Sequence, residues 1–147
     1  MEGAGALASK AALKAGAGKV YLCGAGLYER PDEIIGVDQD LKAYRECLEM
    51  VDCVVAGPGL GKAADDFLAI TWQSNIPLVL DADGLRWLSK SKVKKRTAPL
   101  IATPHPGEAQ ILLGEKVSDR FKALEQLELA YGGQWVLKGA GTLIGPK

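Results

Sequence analysis

The chain has 147 residues, 18 lysines and arginines against 18 aspartates and glutamates, one histidine and 48% apolar residues, the profile of one soluble globular domain. No window approaches the roughly 20 uninterrupted apolar residues that a bilayer-crossing helix needs, which excludes a helical membrane span. A net charge of zero gives no long-range pull on phosphate backbones, so nucleic acid is not an expected partner, and the basic cluster Lys90 to Arg96 reads as a solvated loop after a helix.

In chain order, Ala6 to Ala15 is almost all Ala, Leu and Lys, which predicts a helix, and Gly16 stands where a left-handed cap closes it. Lys19 to Cys23, between glycines, reads as a strand. Gln39 to Met50 is helical in composition and leads into Asp52 to Ala56, a continuous apolar run of the kind found in buried parallel strands. Gly57-Pro58-Gly59-Leu60-Gly61 follows. Ala64, Phe67, Leu68, Thr71 and Trp72 then recur with helical spacing, and Asp65 and Asp66 fall in the first turn, where the helix dipole favours them. Ile76 to Leu80 is the next strand, ending in Asp81-Ala82-Asp83-Gly84 and a short helix through Leu88. Pro99 to Ala102 is another, followed by Thr103-Pro104-His105-Pro106-Gly107-Glu108 and a helix to Leu113. Ser118 is positioned to cap a helix with Phe121, Leu124, Leu127 and Tyr131 on one side. Gln134 to Lys138 is a strand, Gly139-Ala140-Gly141 a turn and Thr142 to Ile144 a further short strand.

Strands alternating with helices imply right-handed crossovers, a parallel sheet and helices on both of its faces, so the fold class is α/β. Ligands of such sheets bind outside the carboxyl ends of the strands, the edge on which all four glycine- or proline-marked loops fall. The 18 glycines, about 12% of the chain against an average near 7%, cluster in those loops rather than forming low-complexity sequence. Cys23, Cys47 and Cys53 lie in apolar runs without a CxxC spacing and read as small core residues of a reducing compartment. The Met1-Glu2-Gly3-Ala4 start is unlike a signal peptide, which makes the cytoplasm the default.

Individual motifs leave two readings open. Gly57 to Ala63 resembles a P-loop but has one residue too few before Gly61-Lys62, and Ala63 stands where a magnesium-binding Ser or Thr belongs, so it is not a Walker A sequence. Gly3-Ala4-Gly5-Ala6-Leu7-Ala8 fits a loose dinucleotide pattern with no strand before it. What survives is generic: glycine loops that open helices present backbone N–H groups to anions, or are merely tight turns. His105, fixed between two prolines at a strand end, reads equally as a ligand-facing or a structural residue. Asp81 and Asp83 suit magnesium or proton transfer, with helix capping by Asp83 as the alternative. Lys138 and the N–H groups after it suit a nucleotide phosphate, against a lysine that simply snorkels to solvent. No G-x-S-x-G elbow occurs and no cysteine accompanies His105, which removes acyl transfer.

GPGLG (57–61), PLVLDADGL (77–85), TPHPGE (103–108) and VLKGAGT (136–142), in this order, resemble the ADP/ATP-dependent NAD(P)H-hydrate dehydratase family, and GAGALASKAALKAGAGKV (3–20) fits the same family. The resemblance implies a ribokinase-like α/β fold, a homotetramer, and repair of hydrated nicotinamide rings (NADHX, NADPHX) with ADP or ATP and magnesium. In that chemistry the ring hydroxyl is phosphorylated and phosphate then leaves, which asks for two nucleotide sites facing each other on one rim. Carried over by position, Ala4, Gly59, Gly61 and His105 lie against the hydrated dinucleotide, and Lys138, Gly139, Ala140, Gly141 and Thr142 hold the adenine nucleotide. Asp83 and Glu108 match family motifs near the phosphates, where a metal-linked role is open. No resident metal site is expected.

The family pattern continues into a glycine-rich GGSGD segment, whose N–H groups form an anion hole and whose aspartate activates the hydroxyl, and this sequence stops at Lys147 before it. The expectation is therefore a partial domain, 1–147, incomplete at the C-terminus and without the strand that precedes Gly3, with apolar surface exposed at both ends of its sheet. Absence of a general base alone lowers rates by about 10²–10⁴-fold, so these residues by themselves are expected to bind rather than turn over. Two alternatives stand beside this reading: a sugar or hydroxyethylthiazole-type kinase on the same scaffold, and an inactive nucleotide-binding module.

Overall fold

The computed structural model describes residues 3–24, 30–61 and 64–145. Met1 and Glu2, and Lys62 and Ala63, where the glycine loop departs from a Walker A pattern, lie outside the described residues. The elements are α1 (Ala4–Lys14), β1 (Tyr21–Cys23), β2 (Ile35–Val37), α2 (Leu41–Leu48), β3 (Val54–Ala56), α3 (Asp65–Gln73), β4 (Leu78–Leu80), α4 (Asp83–Lys90), β5 (Leu100–Ala102), α5 (Pro106–Leu113), α6 (Arg120–Tyr131), β6 (Gln134–Leu137) and β7 (Leu143–Gly145).

Five strands form the main sheet in sequential order, β3-β4-β5-β6-β7, parallel up to β6, with β7 turning back antiparallel. β1 and β2 make a separate parallel pair, against which α1 packs. The period of two in a strand sorts the main sheet's residues. Leu78, Leu80, Leu100, Ala102, Trp135 and Leu137 face one way and build the core with Leu68 and Trp72 of α3, Leu85 and Leu88 of α4, Ala109 and Leu112 of α5, and Leu124 and Leu127 of α6. Each fully buried leucine contributes roughly 1.5–3 kcal/mol relative to exposure. Val55, Ile101 and Ile144, the intervening residues, are exposed, two of them on the edge strands β3 and β7.

Several expectations change. Three-residue β2 gave no periodic signal; it is defined by its register with β1, Tyr21 beside Ile35 and Cys23 beside Val37. The 52–56 run is not a buried strand, because β3 is an edge strand and Val55 is half exposed. Asp119, not Ser118, caps α6, accepting from the Phe121 and Lys122 amides, and Phe121 in that first turn is exposed. The basic cluster is not wholly solvated either. Arg96 is buried; its guanidinium donates to the Thr71, Trp72 and Ile76 carbonyls and lies 5.9 Å from the Trp72 ring centroid. Two of these carbonyls, Thr71 and Trp72, lie in the last turn of α3, where the helix dipole favours a cation.

The cysteines also divide: Cys47 is buried, Cys23 half-buried and Cys53 exposed. Burial, with Cys47 nearby, pushes the Cys23 thiol up to about 11, and burial raises Cys47 as well. Thiolate is the reactive form, so brief treatment with N-ethylmaleimide at neutral pH, followed by peptide mass mapping, is expected to modify Cys53 well before Cys23 or Cys47. Equal labelling of Cys47 in the folded chain would contradict this packing.

Candidate active site

Because β3, β4, β5 and β6 run parallel, the loops at 57–61, 81–84, 103–108 and 138–142 leave the same edge of the sheet. Backbone hydrogen bonds stitch them together beyond the strands. The Asp81 amide donates to the Ala56 carbonyl (3.1 Å), the Thr103 amide to that of Leu80 (3.0 Å) and the Lys138 amide to that of Pro104 (2.8 Å). Each loop is thus held by its neighbour.

Gly57 has φ +118°, and a Cβ placed on it would collide with the carbonyl oxygen of Asp81 and crowd the amide of Gly84. No other residue type allows the two loops to come so close. Gly59 lies at the tip of the loop and Gly61 at its end, where the Gly61 amide donates to Oδ2 of Asp83 (3.1 Å). Asp83 does not cap α4: Ala82 is the N-cap residue and Asp83 is the first helical one, its carboxylate shared between Gly61 and Arg86, which lies 3.6 Å away. Ala82 is the single non-glycine residue with positive φ among the described residues (φ 49°, ψ −117°).

His105 is the N-cap of α5. Its Nδ1 accepts from the Glu108 amide (3.2 Å), while the Glu108 carboxylate accepts from the His105 amide (2.8 Å), a reciprocal capping box. Since Nδ1 is an acceptor, the neutral ring carries its proton on Nε2, on a side chain that is 57% exposed. The ring folds back over Gly107, where a Cβ would stand 2.9 Å from it. Glu108 itself is buried. Nδ1 is therefore committed to the helix cap, and Nε2 lies 3.6 Å from the Glu108 carboxylate.

Lys138 directly follows β6, and its Nζ lies 2.9 Å from Oδ1 of Asp81, both side chains being partly exposed. Gly139, Ala140, Gly141 and Thr142 are exposed and form the connection between β6 and antiparallel β7, with the Thr142 hydroxyl donating to the Gly139 carbonyl (3.3 Å). A residue that sequence reading missed supports this hairpin: Arg120 Nη2 donates to the Leu137 carbonyl (3.0 Å), and its guanidinium lies against Gly139. Only its place at the start of a helix after Asp119 hinted at a role. Ala4 stands apart, opening α1 on the two-stranded sheet instead of the five-stranded one that carries the other positions.

A mostly parallel sheet with glycine loops gathered on its carboxyl edge makes this an α/β protein, and its fold is that of a ribokinase-like superfamily protein from Enterococcus faecalis (TM-score 0.77, 24% identity, 97% of this chain and 55% of that one). The comparisons agree at the level of family: the model of the NAD(P)H-hydrate dehydratase family matches residues 1–146, and the chain belongs to that family. It is 38% identical over 164 residues to the bifunctional NAD(P)H-hydrate repair enzyme Nnr of Coxiella burnetii, covering 98% of this chain and 32% of that one. It is 35% identical over 161 residues to the ADP-dependent (S)-NAD(P)H-hydrate dehydratase of Neisseria meningitidis, covering 98% and 54%. Among solved structures it resembles a hypothetical protein from Streptococcus mutans (TM-score 0.84, 25% identity, 97% of this chain and 57% of that one). It also resembles the ADP/ATP-dependent NAD(P)H-hydrate dehydratase from Bacillus subtilis co-crystallised with ATP and magnesium and soaked with CoA (TM-score 0.76, 25% identity, 99% and 57%). The chain thus spans about a third of the Coxiella enzyme's length and about half of the Neisseria one's.

Two glycines of one loop give contrasting expectations. Gly57→Ala forces a Cβ into the Asp81 backbone and is expected to lower the unfolding free energy by roughly 3 kcal/mol or more. Gly61→Ala has positive φ but open space, and is expected to lose about 1–2 kcal/mol. Urea denaturation of the two variants checks the difference, and equal losses would contradict the close approach.

Proposed function

We propose that this chain forms the nucleotide rim of an ADP- or ATP-dependent enzyme that returns hydrated NADH or NADPH (NADHX, NADPHX) to the normal cofactor, a hydro-lyase of nicotinamide nucleotide repair. The observation that carries this reading is the hydrogen bond from the Lys138 amide to the Pro104 carbonyl. It makes neighbours of the loop assigned to the hydrated dinucleotide and the loop assigned to the adenine nucleotide, as transfer of a phosphoryl group between the two requires.

In this reading Gly59, Gly61 and the Nε2 side of His105 line the dinucleotide half of the rim, joined by Ala4 from α1. Lys138 and the exposed Gly139 to Thr142 hairpin hold the phosphates of the adenine nucleotide, Lys138 as a point charge and the hairpin by close backbone approach. When bound, the nucleotide supplies the phosphoryl group that turns the ring hydroxyl into a leaving group. Asp83 and Glu108 are positioned to shape the loops around the phosphates: one fixes Gly61, the other fixes His105. Their carboxylates are already engaged by protein donors, and no group of three His, Cys, Asp or Glu side chains stands together among the described residues. These engaged carboxylates offer no ready-made cage for a resident magnesium ion, which would instead come bound to the nucleotide's phosphates.

Cytoplasmic residence and assembly into a homo-oligomer, the tetramer implied by the family resemblance, belong to the same proposal. No helix among the described residues is long and apolar enough to cross a membrane, and exposed Val55 and Ile144 on the edge strands offer surface for association.

Titration calorimetry of the chain with ADP and with NADPH is expected to give saturable heat for both, and silence for both at millimolar concentration contradicts the proposal. In an assay with NADHX and ADP, release of free inorganic phosphate separates a dehydratase from a kinase, which would leave a stable phosphorylated product.

A further inference from the structure

The turn Asp81-Ala82-Asp83 links the two halves of the rim, and no role assigned to the family's loops accounts for its geometry. The acidic side chains on either side of Ala82 reach in different directions. Asp81 Oδ1 takes the Lys138 ammonium at 2.9 Å, next to the Gly139 to Thr142 hairpin, while Asp83 Oδ2 takes the Gly61 amide at 3.1 Å, in the 57–61 loop. These contacts span 57 and 22 positions in sequence. The backbone between the carboxylates is held where a side chain is at a disadvantage, φ 49° at Ala82. It is pinned there on both sides. The Asp81 carbonyl accepts from the Gly84 amide (3.0 Å), the Ala82 carbonyl accepts from the Leu85 and Arg86 amides (3.0 and 3.1 Å), and Gly57 packs against the Asp81 carbonyl from below.

We infer that Asp81 and Asp83 are positioning residues with separate clients. Asp81 orients Lys138 for the phosphates of the adenine nucleotide, and Asp83 holds the Gly61 end of the glycine loop in the shape that receives the dinucleotide. The inference rests on the reading of the rim as a two-nucleotide site. An ammonium without its carboxylate partner samples the many rotamers of a four-carbon stem, and ordering it again on ligand binding weakens affinity. Loss of the Gly61 hydrogen bond similarly leaves a loop with left-handed glycines to be ordered by the ligand itself. Ala82 makes the two placements interdependent, because a shift of the turn moves both carboxylates at once.

The test compares Asp81→Asn, Asp83→Asn and Asp81→Glu with the wild-type chain by calorimetry, using ADP and NADPH as separate probes, and follows the melting temperature of each variant. Asp81→Asn is expected to weaken ADP about tenfold, the scale of one charge-assisted hydrogen bond, and to leave NADPH within about twofold. Asp83→Asn is expected to do the reverse. Asp81→Glu, which keeps the charge, is expected to recover ADP binding at least in part. A merely structural turn would lower both affinities and the melting temperature together, and that outcome overturns the inference. So does a wild-type chain that binds ADP measurably but no better than Asp81→Asn. A wild-type chain that binds neither probe removes the two-nucleotide reading itself, and is distinguishable from both.

Discussion

The contact on which the rim depends is between two pieces of backbone: the carbonyl of Asp81 occupies the place where residue 57 would carry a Cβ. Everything at the carboxyl edge follows from that approach. It lets the Asp81 amide extend the pairing of β3 with β4 by one hydrogen bond to Ala56. The 57–61 loop is thereby brought over the start of α4, within reach of Asp83, and the following strands add their own loops in turn through Thr103 and Lys138. A rim built by neighbour-to-neighbour bonding is anchored at each strand end, while the His105 and Gly139 to Thr142 tips stand exposed.

Apart from β2, the order of helices and strands, the α/β class and the edge on which the glycine loops gather could be read from residue patterns, because apolar runs, caps and glycine clusters are local signals. The loops GPGLG, DADG, TPHPGE and KGAGT were visible as loops for the same reason. Their mutual wiring was not. That Lys138 meets Asp81 depends on β4 and β6 flanking β5, and nothing near either residue encodes the strand order. Asp83 was weighed as a helix cap because acidic residues favour that position, yet its side chain is taken by a glycine amide 22 positions away. Helical spacing identified a face containing Phe121, Leu124 and Leu127, but spacing says nothing about how far along the helix the core reaches, and Phe121 falls outside it.

The two ends of the sheet are organised by different means. At the carboxyl edge, short side chains and glycines let backbone meet backbone. Near the opposite edge, one long side chain, Arg96, gathers the carbonyls of Thr71, Trp72 and Ile76. Its Nε is buried without a partner, and burial draws the guanidinium below its ordinary pKa. A buried cation is tolerated there because the end of α3 offers it carbonyl dipoles. At the carboxyl edge the corresponding cation is Arg120, which is only half-buried and holds the Leu137 carbonyl, while the Lys138 and Asp81 side chains are partly exposed.

Directly beneath the rim, Ala56, Leu80, Ala102 and Trp135 stand in register across four strands, small and large in alternation. Gly84 rests on Leu80 and the Ala56 carbonyl, so the helix that follows the acidic turn descends into the dip left by an alanine. Such a corrugated floor sets the height at which each strand hands over to its loop, and Gly57 then lets the first two loops close on each other. A segment transplanted between relatives that keep this row and a glycine at 57 would inherit its anchor points and bring only its own chemistry, and one moved onto a floor with a bulky residue at 56 or 102 would arrive tilted away from its neighbour.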